Sequence, residues 1–491
     1  MDILKTLLVV DKTSTIPVYL QIANAFIQKI HEGRFRKGLK LPGSREMAGL
    51  LKVNRMTAVA AYQELDAQGW IELIPRKGTF VKVHPSVEKP AKLGDRLAPL
   101  RLPEKPGFHY DTKRVRPLYA MDFPPAGKIV LYDGGFPDVR LAPIEELARR
   151  IRSLARIAAN KKYLMYGNAQ GTLFLRETLA DFLCDTRGLN VTADNILITK
   201  GAQMGIYIAS SILLQHSDAV VVGTPGYVGA NNTFRQLGAR IHYVPVYEDG
   251  IDVDAVEKLC RKRKIRMVYV IPHHHHPTTA TLSPDKRIAL LRLAAKFRFA
   301  IIEDDYDYDF HYGGKPMMPM ASVDRKGNVV YIGTLTKSLA PAIRLGFIVA
   351  PVEFIRVATH LRKSIDTQGD SLVENAVAEL YKDNTITRHI KKSLKLYKDR
   401  RDHFCRLMEE ELQAYVSFKV PDGGMSVWTR FTKHSLPILS RQAFDKGLIM
   451  RDGTDYDTPA VQYNSVGLGF ASLNDREQER AIGILKNLLA G

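Results

Sequence analysis

The sequence predicts an α/β chain: a small helical unit with a β wing precedes a mainly parallel sheet with helices on both faces. Three observations lead there. Five short β-rich runs between residues 196 and 333 are mostly separated by helix-length segments, the pattern of parallel strands joined by helical crossovers. Helix and turn signals crowd residues 17–83. Between these regions, residues 84–118 hold six prolines and eight Lys/Arg with little apolar periodicity, the composition of an extended linker. The expected organisation is a first domain over 1–84, a linker over 85–118 and a second domain over 119–491. From about residue 350 that second domain reads as a smaller α+β subdomain.

At the front, Pro17 suits a first helical turn and Gly33 a stop. Between them Leu20, Ala23, Ile27 and Ile30 share one helical face. Ser44 is placed to cap a short helix running to Leu51. Asn54-Arg-Met-Thr57 opens another, with Val59, Tyr62 and Leu65 as its buried face before Gly69. Two helices joined by a tight turn form a helix-turn-helix. Trp70–Ile74 and Gly78–Val83 alternate as strands around the basic turn Pro75-Arg-Lys-Gly78, which makes a wing. Further along, Ile196–Thr199, Ala219–Gly223, Met267–Ile271, Phe299–Ile302 and Val329–Gly333 are the strands of the sheet. Ligands in such sheets gather beyond the carboxyl ends of the strands.

Bulk properties narrow the function. The 491 residues carry a formal net charge of +19, which favours a polyanionic partner such as nucleic acid. Residues 1–84 alone hold thirteen Lys/Arg against seven Asp/Glu. The three cysteines, Cys184, Cys260 and Cys405, form no CxxC pair, so neither a disulfide framework nor a zinc site is expected. No run approaches the ~20 apolar residues of a membrane span, and the first residues lack the layout of a signal peptide. The chain reads as cytoplasmic.

The residue that carries most chemistry is Lys337, in Gly333-Thr-Leu-Thr-Lys-Ser338, with Arg344 seven positions on. A lysine framed by hydroxyl residues and followed by an arginine suits an imine with an aldehyde cofactor whose phosphate is held nearby. Gly201-Ala-Gln203 follows a strand and should open a helix, so the backbone N–H groups around Ala202 and Gln203 can cradle a phosphate. Tyr227 lies just past the next strand, Glu303-Asp-Asp-Tyr306 ends another, and Lys337 comes 33 residues after Asp304.

Leu41-Pro-Gly-Ser-Arg45, Asn54-Arg-Met-Thr57, Gly69-Trp-Ile71 and Gly78-Thr-Phe-Val81 resemble the winged helix-turn-helix of GntR-type bacterial transcription regulators. The second domain resembles a fold-type-I aminotransferase dependent on pyridoxal 5'-phosphate. The whole chain is thus similar to the MocR/GabR subfamily of GntR regulators. The first resemblance implies contacts to double-stranded operator DNA from Ser44, Arg45, Arg55 and Thr57 at the helix starts and from Lys77 and Gly78 at the wing tip. The second implies that Asp304 keeps the cofactor's ring nitrogen protonated and Tyr306 bonds its ring hydroxyl. Tyr227 would stack on the ring, Lys337 would form the internal aldimine, and Thr334 and Arg344 would hold the phosphate. A head-to-tail homodimer is implied as well, with Tyr166 reaching the phosphate of the partner's site. The function expected is a regulator that senses pyridoxal phosphate, or an amine or amino-acid effector, through Lys337. The alternative is a working aminotransferase with an appended DNA-binding domain.

Two departures bear on that choice. His273-His-His-His276 replaces the motif of relatives, and His276 falls where aminotransferases keep an asparagine near the ring hydroxyl. Adjacent histidines on an extended segment point to alternating sides, so no metal site is expected. A cofactor contact from His274 or His276 is left open. Gly467, in Gly467-Leu-Gly-Phe-Ala471, stands where aminotransferases keep the arginine that clamps the substrate carboxylate. Losing that bidentate clamp weakens transamination and favours sensing over turnover.

Overall fold

The computed structural model describes residues 10–11, 13–82, 105–109, 127–314, 316–458 and 461–491. The chain divides into two compact units, residues 1–110 and 111–491. Of the linker reading over 85–118, only residues 105–109 are described; the remainder, and residues 119–126, lie outside the described residues.

The first unit packs helices α1 (Val18–His31), α2 (Ser44–Leu51) and α3 (Arg55–Ala67) beside a three-stranded sheet of β1 (Lys40–Leu41), β2 (Ile71–Ile74) and β3 (Gly78–Val81), in the order β1-β3-β2. Ile22, Ala23 and Phe26 of α1 are buried with Met47, Ala58, Tyr62 and Leu65. The buried face of α1 is therefore centred on Phe26; Leu20, Ile27 and Ile30 flank it only partly buried. Aromatic bulk explains the rotation, because Phe26 meets the Phe35 ring at 5.3 Å and the Tyr62 ring at 6.2 Å. Val59 is likewise only partly buried, since Ala58 and Ala61 let α3 approach its neighbours closely. Asn54 caps α3 by accepting the Met56 amide at 2.8 Å. Ser44 is the first helical residue of α2 rather than its cap: Gly43 takes that position and no side chain caps the helix.

The second unit is built on an eight-stranded sheet. In chain order its strands are β5 (Ile196–Thr199), β6 (Ala219–Thr224), β7 (Arg240–Tyr247), β8 (Gly250–Ile251), β9 (Ile265–Val270), β10 (Ala300–Asp305), β11 (Val329–Thr334) and β12 (Gly346–Val349). Their spatial order is β5-β12-β11-β10-β9-β6-β7-β8. β7, β6, β9, β10 and β11 run parallel, while β12 is antiparallel to both its neighbours. Alternation along β6 shows why both faces are covered. Val220 and Val222 pack with Ile206 and Phe234, and Val221 packs on the other side with Val256 and Leu290.

The smaller lobe centres on the sheet β13 (Val416–Phe418), β14 (Ser426–Phe431) and β16 (Ser465–Gly469), under the long helix Thr385–Leu412 and the final helix Asp475–Ala490. Two features differ from the expected boundary near 350. Residues of helices Val352–Asp366 and Ser371–Lys382 pack against the large sheet. The small lobe also recruits β4 (Ile129–Val130), which pairs in parallel with β15 (Leu448–Ile449). Among the described residues no helix is long and apolar enough to cross a membrane.

Arg362 ties helix Val352–Asp366 to the edge strand β5. Buried at 1% exposure, it donates to the carbonyls of Ala169 at 2.9 Å and Ile198 at 2.5 Å and pairs with Asp366 at 3.4 Å. Arg362→Ala should lower unfolding stability by about 3 kcal/mol or more, because three acceptors lose a buried donor. Denaturant unfolding of the variant measures this, and a loss under about 1 kcal/mol would contradict the role.

Candidate functional site

Strand alternation divides the three carboxylates that end β10. Glu303 and Asp305 point to one face and Asp304 to the other. Glu303 accepts the amides of Met320 at 2.7 Å and Ala321 at 2.8 Å. Asp305 accepts the Tyr331 hydroxyl at 2.8 Å and faces His273 Nδ1 at 3.0 Å. Asp304 faces a cavity of about 290 Å³, which Lys337, Tyr227, Tyr306, His276, Arg344 and Asp133 also line. Its Oδ2 accepts the Tyr269 hydroxyl at 2.6 Å, and its Oδ1 is buried without a partner.

Burial pushes the Asp304 carboxyl up to about 7, against the Tyr269 hydrogen bond. Lys337, three residues past the end of β11, is pushed down to about 8 by desolvation, opposed by the nearby carboxylates of Asp307 and Asp133. Its Nζ donates to Gly135 O at 2.5 Å and to Gly134 O at 3.5 Å. A carboxyl group and an amine thus share one cavity, with proton affinities drawn together near neutrality. That is the setting for proton transfer or nucleophilic attack.

An anion cradle forms where β5 meets helix Ala202–Leu213. Gly201 enters the helix at φ 81 and no side chain caps it, so no capping side chain competes for its first N–H groups. Gly201 is also the place where Arg344 presses in: a Cβ there would lie 2.7 Å from Arg344 Nη2. Arg344 donates to Lys200 O at 2.8 Å. The Thr334 and Thr336 hydroxyls lie 2.8 Å apart at the same end of β11. Tyr227 donates to Gln203 Oε1 at 3.1 Å, and Gln203 is fixed in turn by donating to Thr233 Oγ1 at 2.8 Å. Tyr306 donates to His274 O at 3.2 Å.

The four histidines do four different things. His273 Nε2 donates to Met317 O at 2.6 Å, while its Nδ1 faces Asp305. His274 Nδ1 donates to Asp307 Oδ1 at 3.0 Å and its ring stacks on His311. His275 donates to Pro225 O at 2.9 Å, and burial lowers it to about 4. His276 alone enters the cavity, edge-on to Tyr227 at 5.6 Å. Burial, then Lys337 and Arg451, lower it to about 3, so it is a neutral imidazole.

Most residues singled out in the sequence therefore converge: Lys337, Asp304, Tyr306, Arg344, Thr334, Ala202, Gln203, Tyr227 and His276 line one cavity. Tyr166 does not line it and is 90% exposed. Ser338 is buried beside a separate small cavity. The loop Asp133-Gly-Gly-Phe136 was missed. Its one local signal is the glycine pair after a short strand. Tyr456, whose hydroxyl donates to Asp133 Oδ2 and accepts from His276 Nε2 at 2.9 Å, gives no local signal.

In the first unit, Arg45 and Arg55 are exposed in the first turns of α2 and α3, with Ser44 and Thr57 partly buried beside them. Lys77 and Gly78 are exposed at the wing turn, where Arg76 at φ 62 and Gly78 at φ 120 reverse the chain. Positively charged side chains at helix starts and on a β wing form a surface suited to phosphates and groove edges.

Residues 128–485 match the family aminotransferase class I and II, and residues 18–81 match the bacterial regulatory proteins of the gntR family. The uncharacterized HTH-type transcriptional regulator YdfD of Bacillus subtilis (strain 168) is 27% identical, with 95% of each chain covered. The probable rhizopine catabolism regulatory protein MocR of Rhizobium meliloti is 25% identical over 98% of this chain and 95% of its own. Among solved structures, the α-aminoadipate aminotransferase LysN of Thermus thermophilus, complexed with N-(5'-phosphopyridoxyl)-L-leucine, superposes with a TM-score of 0.69. It is 25% identical, with 74% of this chain and 93% of LysN covered.

The raised Asp304 carboxyl gives a stability prediction for the ligand-free protein. The folded chain holds this proton more tightly than the unfolded chain, whose carboxyl keeps its ordinary value of 3.8. Stability from the neutral form is fully present below about pH 4 and is lost as the pH climbs through about 7. Asp304→Asn removes this dependence. The variant should be more stable than the wild type at pH 8 by a few kcal/mol, and the gap should close towards pH 4.5. Thermal unfolding at both pH values checks it; a pH-independent difference would contradict the assignment.

Proposed function

The chain belongs to the aminotransferase class I and II family and carries a GntR-family regulatory domain ahead of it, and we propose that it is a transcription regulator of the MocR/GabR type that binds pyridoxal 5'-phosphate at Lys337 and couples occupancy of that site to operator binding. One observation carries the cofactor reading. Buried Asp304, whose Oδ1 has no hydrogen-bond partner, lines the same cavity as Lys337.

The donor set fits the cofactor, on which this family of enzymes depends. When bound, pyridoxal phosphate supplies an aldehyde and an electron-withdrawing ring. Asp304 Oδ1 would accept the proton on the ring nitrogen, supplying the hydrogen bond it lacks. Tyr227 would present an aromatic face to the ring, and Tyr306 would bond the ring hydroxyl. The uncapped start of helix Ala202–Leu213, with Arg344 and Thr334, would hold the phosphate. Lys337, lowered to about 8, keeps a neutral fraction of its amine available at physiological pH.

Regulation requires that a ligand favour one arrangement of the protein over another. A second copy of the chain is the natural carrier, as the resemblance to the subfamily implies. The exposed run Leu164-Met-Tyr166, each residue at least 70% exposed, supports a self-interface there. The effector is pyridoxal phosphate itself or an amine. The regulatory names of full-length relatives such as MocR support this reading over that of an aminotransferase with a DNA-binding appendage.

Three outcomes follow. The wild-type protein loaded with pyridoxal phosphate should keep a yellow chromophore through dialysis, and Lys337→Ala should lose it; absorption spectra decide. Arg55→Ala should weaken operator binding by about tenfold to a hundredfold and leave cofactor loading intact. Equal loss of both properties would contradict the division of roles. Turnover with a broad panel of amino acids and keto acids should be absent or marginal, and multiple-turnover product formation would restore the enzyme reading.

A further inference from the structure

This inference rests on the cofactor reading above and concerns the ligand that shares the site. Four lining side chains carry formal charge: Asp133, Asp304, Lys337 and Arg344. The cofactor would engage three of them, Asp304 through its ring nitrogen, Lys337 through its aldehyde and Arg344 through its phosphate. His276 is neutral. Asp133 is the lining charge that the cofactor leaves unengaged, with Arg451 3.6 Å away as its ion-pair partner.

Asp133 is held rigidly. Its side chain is 5% exposed, its Oδ1 accepts the Gly467 amide at 3.1 Å, and its Oδ2 accepts the Tyr456 hydroxyl. Each carboxylate oxygen can accept a further hydrogen bond. Arg451 Nη1 lies 3.6 Å from Oδ2 and has a nearer partner in Asp455 at 3.2 Å. Opposite Asp133, strand β16 offers only Gly467. A Cβ there would lie 2.5 Å from Asp133 Oδ1 and 3.0 Å from Gly134 N, so Asp133 fills the space into which a side chain at 467 would grow. The carboxylate stands close to the reacting amine, since Lys337 Nζ reaches O of the adjacent Gly134 at 3.5 Å.

We propose that this pocket recognises a diamine-type ligand, a primary amine with a second ammonium in place of a carboxylate, and that Asp133 seats the second ammonium. An ammonium there gains a charge-assisted hydrogen bond from a desolvated carboxylate. A ligand carboxylate at the same place meets like charge in a low-dielectric site.

The test titrates the full chain, loaded with pyridoxal phosphate, with 1,4-diaminobutane, n-butylamine, 4-aminobutanoate and L-alanine, following the chromophore's absorption. In the wild type, 1,4-diaminobutane should act at a concentration at least about tenfold lower than each of the others, the size expected for a hydrogen bond to a charged group. In Asp133→Asn, compared at matched cofactor loading, the preference over n-butylamine should fall below about twofold. Equal or tighter response to 4-aminobutanoate or L-alanine in the wild type, which would point to Arg451 as a carboxylate seat, overturns the inference without needing the variant. An unchanged preference in Asp133→Asn also overturns it. Absence of a chromophore in the wild type overturns the cofactor reading itself, and is thereby distinguished from failure of this inference alone.

Discussion

Three consecutive carboxylates end β10, and each must be satisfied away from water at the carboxyl end of a parallel sheet. Loop amides and the tyrosine side chains of the neighbouring strands supply the donors. Glu303 takes two amides from the turn at Met320. Asp305 takes Tyr331 and is faced by His273, itself tied to Met317. Asp304 takes Tyr269 on one oxygen and leaves the other unmatched. Burying an unmatched polar atom is costly. Its retention beside an amine of lowered basicity makes sense when a ligand brings the missing donor. Lys337 past β11, the histidine run past β9 and the anion cradle past β5 all lie at strand ends of the same sheet.

Much of this was legible in the sequence because it lies just past strand ends. Short β-rich runs give the strands, and the chemical residues fall within a few positions of them. Lys337, Asp304, Tyr227 and Gln203 are found that way. What escaped depends on long-range closure. Asp133 and Tyr456 lie 323 residues apart in the chain and meet in the fold, where Gly467 of β16 also bonds Asp133. The histidine run was readable as alternating but not as four separate roles, since those depend on Asp305, Asp307 and Pro225 supplied by other segments. In the first unit, periodicity placed the helices but missed the rotation of the α1 face towards Phe26, because ring packing outweighs the simple apolar count.

The absent clamp takes on a physical meaning in the structure. Gly467 is not an empty position awaiting a side chain; the carboxylate of Asp133 occupies that space and bonds the Gly467 amide. A site so arranged puts a carboxylate where a clamp for an α-amino acid's carboxylate would stand. That placement, together with the regulatory domain ahead of it, separates this pocket from one built to process ordinary amino acids.

The central claim is that Asp304 Oδ1 is a seat reserved for a proton on a bound ring nitrogen. The most direct measurement is the nitrogen-15 chemical shift of ring-labelled pyridoxal phosphate bound to the protein at neutral pH. The account predicts a protonated pyridinium signal in the wild type and a shift towards neutral pyridine in Asp304→Asn. A neutral ring nitrogen in the wild type, or the same shift in both proteins, would contradict it.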